Sequence, residues 1–444
     1  MFNQVVIQMG FWTAWLVIPA VFELSPAIVA FFRNHFSKIS SKQEYHPGRM
    51  PQLTVIVPIY NSGDTLYDCL KSIAESNYPK HLISIICTNN KSTDNSFEVY
   101  KQAQMDFRNV RMQWLEANQG KAKALNTAIY GSTGDYVFTI DSDGTLSKDA
   151  LLNMAVNFNK HPEVMAQTGT ILSNNELIKN SKKHRLLRLE EYYEYAIAFL
   201  AGRTVESKDD QIFTMSGAFS AFRRSALMQS RLYNVETVGE DTDMTFQIRY
   251  YLKGRVMLCP NAIFYVEPIS DWDELYVQRQ RWQRGEIEVI RTFLSEKLNL
   301  KRIWSNFIVR RLLVDHTVAF LKVIWLFAIF VLIPFGYSPI LIVMSLLLMY
   351  LLYLFIGFLN FTNVMHYLKF DPIERKYFRN HWWVTFMMPI YNLIVSFFRV
   401  MGVINTMLKS GKWQTDNFKS EYLAAKKVIK QDLKRGKRTN GKNL

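Results

Sequence analysis

Residues 136–147 read YVFTIDSDGTLS. An uncharged apolar run is followed directly by two carboxylates, Asp141 and Asp143, with one residue between them. A continuous apolar run of this kind is typical of a strand buried on both faces of a sheet. Ligands of parallel sheets bind beyond the carboxyl ends of the strands, and positions two apart in extended backbone point to the same side. We therefore expect both carboxylates to face one ligand, with a cation between them. An ordinary Asp-Ser-Asp-Gly turn explains the same four residues equally well.

The segments before this strand alternate between strand and helix patterns. Buried-type runs at 52–60, 81–90 and 110–116 are separated by helical stretches at 64–76, 96–107 and 121–131. Alternation of elements with these lengths predicts an α/β domain built on a doubly wound, mostly parallel sheet. We assign residues 50–285 to this domain, which is a size typical of a single α/β unit.

Apolar segments on either side of the domain are long enough to cross a bilayer. The expected divisions are an N-terminal transmembrane segment (1–32, apolar core 5–22), the domain (50–285), amphipathic interface helices (286–312), a transmembrane hairpin (313–362, spans 317–334 and 338–359), a loop with an interfacial or transmembrane segment (363–408) and a basic cytoplasmic tail (409–444). The first basic residues follow the first span, so the positive-inside rule places the domain on the cytoplasmic side of a plasma membrane. The segment 382–404 contains Pro389 and Arg399, and both a spanning and an interfacial position stay open for it.

The charge of the chain also points to a membrane. The net charge is +15, and residues 405–444 hold eleven Lys or Arg against three acids. Basic residues beside apolar segments indicate contact with anionic lipids, and no nucleic-acid-binding motif accompanies them. Cys69, Cys87 and Cys259 form no CxxC pair, so we expect buried thiols in a reducing compartment.

Two further patterns lie in loops of the same domain. ANQGKAKALN, residues 117–126, places Lys121 in the first turn of a helix, where backbone amides attract anions. VGEDTDM, residues 238–244, crowds Glu240 against Asp241, and neighbouring carboxylates raise each other's pKa, which suits a group that takes up a proton. Taken alone, the first is also an ordinary helix start and the second a solvated acidic turn.

A third pattern, YVQRQRWQRGE, spans residues 276–286. On a helix, Gln278, Arg281 and Trp282 share one face. That face combines an amide, a guanidinium that binds phosphate in bidentate fashion and an indole that stacks on a sugar. An amphipathic helix lying on a membrane explains the same spacing.

Together, these patterns resemble the membrane-bound family 2 glycosyltransferases, which include hyaluronan, cellulose, chitin and poly-N-acetylglucosamine synthases. The acids at 141–143 and 240–241, followed by QRQRW at 278–282, are similar to the D, DxD, (T/E)ED and QxxRW signature of that family. NQGKAKALN at 118–126 and SGAFSAFRRSAL at 216–227 are similar as well, and GKWQT at 411–415 resembles a cytoplasmic tryptophan loop near the active site. The chain is also similar to a Gram-positive subgroup associated with exosortase-like systems.

The resemblance implies a GT-A fold, and transfer with inversion of a sugar from a UDP-linked donor to a growing polysaccharide or glycan. It implies that Asp143, with Asp141, holds Mg²⁺ or Mn²⁺ and that Asp241 is the general base. The other implied site residues are Pro58, Tyr60, Asn61, Asn89, Lys121 and Asp141 for the nucleotide, and Gln278, Arg281, Trp282, Glu240 and Trp413 for the acceptor and the leaving diphosphate.

Two positions depart from the family pattern. Where the family has DDGSTD, residues 89–94 read NNKSTD, and Gly239 replaces the threonine of TED. The amide oxygen of Asn89 still accepts a hydrogen bond from a base, without the strength of a carboxylate. Transfer of one or a few sugars to a lipid-linked acceptor and a non-catalytic scaffold stay open as alternatives. With so few spans, a polymer synthase would need an accessory membrane subunit or a homo-oligomer.

Overall fold

The computed structural model describes residues 19–36, 50–293 and 338–408, together with single positions between 320 and 334. Most of the expected spans 5–22 and 317–334, most of the interface segment 286–312 and the tail after residue 408 lie outside the described residues.

Within the described residues, eight strands form one mixed sheet in the order β3-β2-β1-β4-β7-β6-β8-β5. The strands are β1 Leu53–Ile59, β2 Ile83–Asn89, β3 Arg111–Glu116, β4 Tyr136–Ile140, β5 Gly144–Leu146, β6 Val164–Ser173, β7 Phe219–Arg223 and β8 Arg255–Val266. The pairs β1–β2, β2–β3 and β1–β4 are parallel, as predicted, and so is the later pair β6–β8. Strand β7 is antiparallel to β4 and β6, and β5 is antiparallel to β8. The described sheet is therefore mixed, and the prediction of a mostly parallel sheet is confirmed in part, for four of its seven strand pairs. Strands of three and five residues are too short for their periodicity to be read from sequence.

Burial explains the continuous apolar runs of the first strands of the sheet. Strands β1 and β4 are buried along their whole length, because helices cover both faces of the sheet. Val55 and Val57 enter one core and Ile56 enters the core on the opposite face. The register aligns the carboxyl ends of β1 and β2, since Ile59 pairs with Asn89. The loops that follow these strands therefore share one edge of the sheet.

Helices surround the sheet and extend beyond it. They are α1 Ser25–Phe36, α2 Leu66–Ala74, α3 Ser96–Asp106, α4 Lys121–Tyr130, α5 Ala150–Lys160, α6 Asn175–Asn180, α7 Arg185–Tyr195, α8 Arg203–Lys208, α9 Arg224–Gln229, α10 Glu240–Phe246, α11 Trp272–Phe293, α12 Pro339–Tyr367, α13 Pro372–Asn380 and α14 Met388–Leu408. The π-helical turn Ala196–Gly202 joins α7 to α8. Helix α11 runs through residue 285, so the expected end of the domain falls inside a helix.

Two stretches of the described helices are long and apolar enough to cross a membrane, Ile342–Phe370 and Met388–Thr406. The first contains most of the predicted span 338–359. In the second, Pro389 lies in the first turn of α14, where its missing N–H removes no intrahelical hydrogen bond. The Arg399 Nε donates to Gln283 Oε1 at 3.0 Å, which directs the guanidinium towards α11. Both residues that made 382–404 ambiguous therefore fit one continuous helix that packs on α11.

The N-terminal helix α1 is tied to the rest of the chain by polar contacts. Arg33 forms an ion pair with Asp209 at 2.7 Å, next to the end of α8. The Asn34 amide donates to Asn363 Oδ1 of α12 at 3.1 Å. These contacts fix α1 against both the sheet domain and the first of the two long apolar helices.

Candidate active site

An acidic centre lies where β4 ends. The Asp141 N–H donates to the Ala218 carbonyl oxygen at 3.0 Å, and residues 142–143 form a turn that leads into β5. The expectation of extended backbone through Asp143 is therefore wrong, because the chain turns there to pair Gly144 with Val266. Both carboxylates nevertheless line one cavity. The backbone therefore turns between Asp141 and Asp143 while both carboxylates face the same cavity.

Lys121 supplies positive charge at this centre. Gly120 precedes α4 with a φ of 127°, a conformation that side chains disfavour, and so places Lys121 at the start of the helix. The Lys121 Nζ lies 2.5 Å from Asp141 Oδ1 and 3.8 Å from Glu240 Oε1. Burial opposes the charge, but Asp141 and Glu240 raise the pKa of Lys121 above its usual value. The side chain is therefore a fixed cation between two acidic loops.

The negative charge of the centre exceeds what Lys121 balances. Enclosure by the protein and the charge of Asp141 raise the pKa of Asp143 to about 6. Burial also raises the pKa of Glu240, and Asp241 adds to the effect while Lys121 opposes it. Carboxyl groups that retain protons in this way favour a further cation or a proton donor beside them.

A cavity of about 1290 Å³ opens beside the acidic centre, along the carboxyl ends of β1, β2 and β4. We call it the donor cavity. The first loop is held in place by Asn61, whose Oδ1 accepts a hydrogen bond from the Thr93 N–H at 2.8 Å. The residues of the expected nucleotide site that line this cavity are Pro58, Tyr60, Asn61, Lys121 and Asp141.

Asn89 does not line the donor cavity. Its Oδ1 accepts from the Ser92 N–H at 2.9 Å, and its amide donates to Glu116 Oε2 at 2.8 Å. The neighbouring Asn90 lines the cavity instead, and its Oδ1 accepts from the Gly120 N–H. Asn89 is therefore part of the loop's own hydrogen bonding, because its side chain lies on the opposite face of the strand from Asn90.

A second cavity, of about 750 Å³, adjoins the first, and we call it the acceptor cavity. Aromatic side chains form one of its walls. Trp282 lies with its ring centroid 6.3 Å from Tyr195 and 6.0 Å from Phe199. The residues of the expected acceptor site that line this cavity are Glu240, Asp241, Gln278, Arg281 and Trp282. The six residues that line both cavities are Lys121, Asp141, Asp143, Glu240, Glu267 and Arg281.

Asp241 is held by hydrogen bonds at the start of α10. Its Oδ2 accepts from the Gly217 N–H at 3.1 Å. Its Oδ1 accepts from the Thr242 N–H at 2.6 Å. Both oxygens are thus oriented by backbone amides, and the carboxylate borders the acceptor cavity.

Helix α11 presents its predicted face to the acceptor cavity, since Gln278, Arg281 and Trp282 all line it. Between them, Arg279 is almost fully buried, at 2 % exposure. Its Nη1 donates to Gln278 Oε1 at 2.5 Å, and its guanidinium lies 4.3 Å from the Trp282 ring centroid. Arg279 therefore orients two residues of the predicted acceptor face.

Arg279 is in turn fixed by a carboxylate from α7. Its Nη2 lies 2.5 Å from Glu194 Oε2, which also accepts from the Tyr391 hydroxyl of α14 at 2.5 Å. None of these three residues is among the site residues predicted from the sequence. The QRQRW motif contained the signal for Arg279, but its partners lie 85 and 112 positions away along the chain. The predicted Trp413 lies outside the described residues.

The arrangement is suited to a group transfer between two ligands. Cations at the junction, Lys121 and Arg281, favour a phosphate-bearing ligand in the donor cavity. The aromatic wall favours a sugar ring in the acceptor cavity. Asp241, beside that wall, is suited to remove a proton from a hydroxyl group.

Comparison with known proteins also indicates an enzyme that transfers a group. Residues 54–231 match the model of glycosyl transferase family 2. The poly-beta-1,6-N-acetyl-D-glucosamine synthase of Staphylococcus aureus (strain MSSA476) is 30% identical over 269 residues, which cover 60% of this chain and 62% of the synthase. The synthase of Staphylococcus epidermidis is 29% identical over 262 residues, covering 59% and 58%. The chain thus spans less than two thirds of the length of these relatives.

The fold is also found in a solved structure. A mannosyltransferase from Pyrobaculum calidifontis, in complex with GDP-Man and Mn2+, superposes with a TM-score of 0.60 over 90% of this chain and 99% of its own. The two chains are 15% identical, so the likeness concerns the fold. The mixed sheet with flanking helices is therefore a GT-A-like glycosyltransferase fold.

Proposed function

Because residues 54–231 match the family 2 glycosyltransferase model, we propose that this chain is an inverting membrane glycosyltransferase that adds sugars to a growing glycan. The donor class we propose is a UDP-linked N-acetylhexosamine, on the strength of the identity to poly-beta-1,6-N-acetyl-D-glucosamine synthases. The observation that carries the proposal is the junction of the donor and acceptor cavities at one set of charged residues that includes Asp141 and Asp143.

A divalent cation fits this junction. The donor set consists of carboxylate oxygens, which Mg²⁺ and Mn²⁺ prefer. Among the described residues, no group of three or more His, Cys, Asp or Glu is placed to enclose a metal. Asp143, with Asp141, would therefore hold the ion together with phosphate oxygens of the donor, as is usual for Mg²⁺. Bound there, the ion would neutralise charge on the departing diphosphate.

Side chains of the protein bind the two substrates and accept the proton. Lys121 and Arg281 bind the diphosphate by charge. Trp282 stacks on the acceptor sugar, and Gln278 hydrogen bonds to it. Asp241 accepts the proton of the acceptor hydroxyl, which attacks the anomeric carbon as the diphosphate leaves. A well-placed general base contributes on the order of a hundred- to ten-thousandfold to such a rate.

We propose that the long apolar helices anchor the enzyme in the plasma membrane with the sheet domain and the basic tail on the cytoplasmic side. Helices α12 and α14 support this by their length and composition. The segments 5–22 and 317–334 would supply further spans, and the tail would contact anionic lipid headgroups. With so few spans, polymer export would require an accessory membrane subunit or a homo-oligomer.

The test is release of nucleoside diphosphate by the full chain reconstituted in lipid, across UDP-, GDP- and dTDP-sugars with Mg²⁺ or Mn²⁺. We expect turnover of a UDP-N-acetylhexosamine, lost in Asp241→Asn. Glu75→Gln is the matched control, because this exposed carboxylate lines neither cavity. Absence of turnover with every donor, with or without glycan acceptors, would reject the proposal in favour of a non-catalytic scaffold.

A further inference from the structure

Glu267 and Asp143 lie next to the end of the β5–β8 ladder. Strands β5 and β8 are antiparallel, and the last residue pair of their ladder joins Gly144 to Val266. Asp143 is the residue before Gly144, in the turn that leads into β5, and Glu267 is the residue after Val266. The charge of Glu267 helps to raise the pKa of Asp143, so the two carboxylates are near each other. Neighbouring like charges are unfavourable unless a ligand offsets them. The pair stands at the edge of the proposed reaction centre.

Glu267 lines both the donor and the acceptor cavities. Of the other five residues shared by the two cavities, Lys121, Asp141, Asp143 and Arg281 have roles in the proposed function, and Glu240 pairs with Lys121. Glu267 has neither a role nor, among the described residues, such a partner. Within the described part of the chain, its carboxylate makes no hydrogen bond, and it is exposed to the cavities. It is therefore a hydrogen-bond acceptor that is open to a ligand in either cavity.

The charges around Glu267 limit what that partner is. Glu274, Asp64 and Asp143 are acidic neighbours, and Arg188 is the basic one. This balance disfavours a phosphate group. Because the described residues offer no cluster of three metal-ligating side chains, Glu267 does not complete a metal cage with the two aspartates. Neutral donors such as sugar hydroxyl groups remain, and carboxylates bind these through short, charge-assisted hydrogen bonds.

Building on the proposed function, we propose that Glu267 accepts a hydrogen bond from a hydroxyl group of the sugar being transferred. Asp143 marks the diphosphate side of the junction, and the sugar attached to that diphosphate is the transferred one. Glu267 is thereby a substrate-binding residue that distinguishes the sugar portion of the donor from its nucleotide.

The experiment compares the affinity for UDP with the affinity for the UDP-sugar that the wild-type chain turns over. Binding is measured by calorimetry with Mn²⁺ in lipid nanodiscs, in an Asp241→Asn background that prevents turnover. For Glu267→Ala, we expect UDP affinity within twofold of the parent and a ten- to hundredfold loss for the UDP-sugar, as for a lost hydrogen bond to a charged group. Glu267→Gln retains an acceptor oxygen and is expected to lose less.

Glu75→Gln is the control and should change neither affinity. Equal affinities of parent and Glu267→Ala for the UDP-sugar would overturn the inference. Parallel losses for UDP and the UDP-sugar would also overturn it, since they indicate damage to the nucleotide site. These outcomes are separate from failure of the proposed function, in which the wild-type chain itself turns over no donor.

Discussion

Two glycines hold the helices of the proposed general base and acceptor site in direct contact. Gly239 precedes α10, which carries Asp241, and Gly285 lies on α11, which carries Trp282. A Cβ atom added to Gly239 would lie 2.8 Å from both the carbonyl carbon and the oxygen of Gly285. The φ of Gly239 is −108°, so the restriction is steric and does not arise from backbone conformation. We therefore predict that Gly239→Ala separates the two helices.

The size of the effect follows from the distances. Ordinary contact begins at 3.4 Å, so the backbones must separate by at least 3.4 − 2.8 = 0.6 Å. No flexible side chain is available to yield, because the contacted atoms are backbone. Overpacking of this kind costs about 1–3 kcal/mol of folding free energy. Since a misplacement of about 1 Å can cost roughly a hundredfold in rate, a shift of 0.6 Å is expected to lower kcat by about tenfold.

The assay is kcat for nucleoside diphosphate release, together with the Tm of the full chain in lipid nanodiscs. Gly131→Ala is the matched control, because its Cβ would lie at an ordinary 3.5 Å from the Ala128 oxygen at the end of α4. Gly239→Thr, although it restores the residue usual in the family, is expected to be more damaging than Gly239→Ala. Wild-type kcat and Tm in Gly239→Ala would show that the contact between Gly239 and Gly285 does not position the two helices.

Four other outcomes are expected. Arg279→Met should lower the free energy of unfolding by about 3 kcal/mol, because Glu194 loses its cationic partner but keeps the Tyr391 hydroxyl; an unchanged Tm would contradict this. Affinity for Mn²⁺, measured by titration, should be constant above pH 6 and fall by about tenfold per pH unit below it, because protonation of Asp143 competes with metal; a pH-independent affinity from pH 7 to 4.5 would contradict this. In the metal-free chain, ionising Asp143 costs folding free energy because the pKa of its carboxyl is raised. Protonation removes that cost as the pH falls, so Asp143 should not lower the Tm of the metal-free chain. The three cysteines are buried and unpaired, so native protein should resist maleimide at pH 7, and labelling without denaturant would be evidence against this packing.

Much of the fold was predictable because its signals are local. The apolar runs that became β1, β2 and β4 identify buried strands, and the 3.6-residue spacing at 121–131 identifies α4. Asp141 and Lys121 could be placed at one edge of the sheet, since carboxyl ends of parallel strands meet there. The length of the apolar stretch at 338–359 predicted one long helix in the same way.

Contacts between distant parts of the chain decided the rest. The pairing of β5 with β8 brings Asp143 and Glu267 to the same end of one ladder, although 124 positions separate them in the sequence and β5 has only three residues. Side-chain alternation turns Asn89 away from the donor cavity and Asn90 towards it. Composition and periodicity are properties of short segments, so they were enough to identify the chemical groups of the site. Which of those groups face the same cavity depends on strand register and helix packing across the whole domain, and these are visible only in the folded chain.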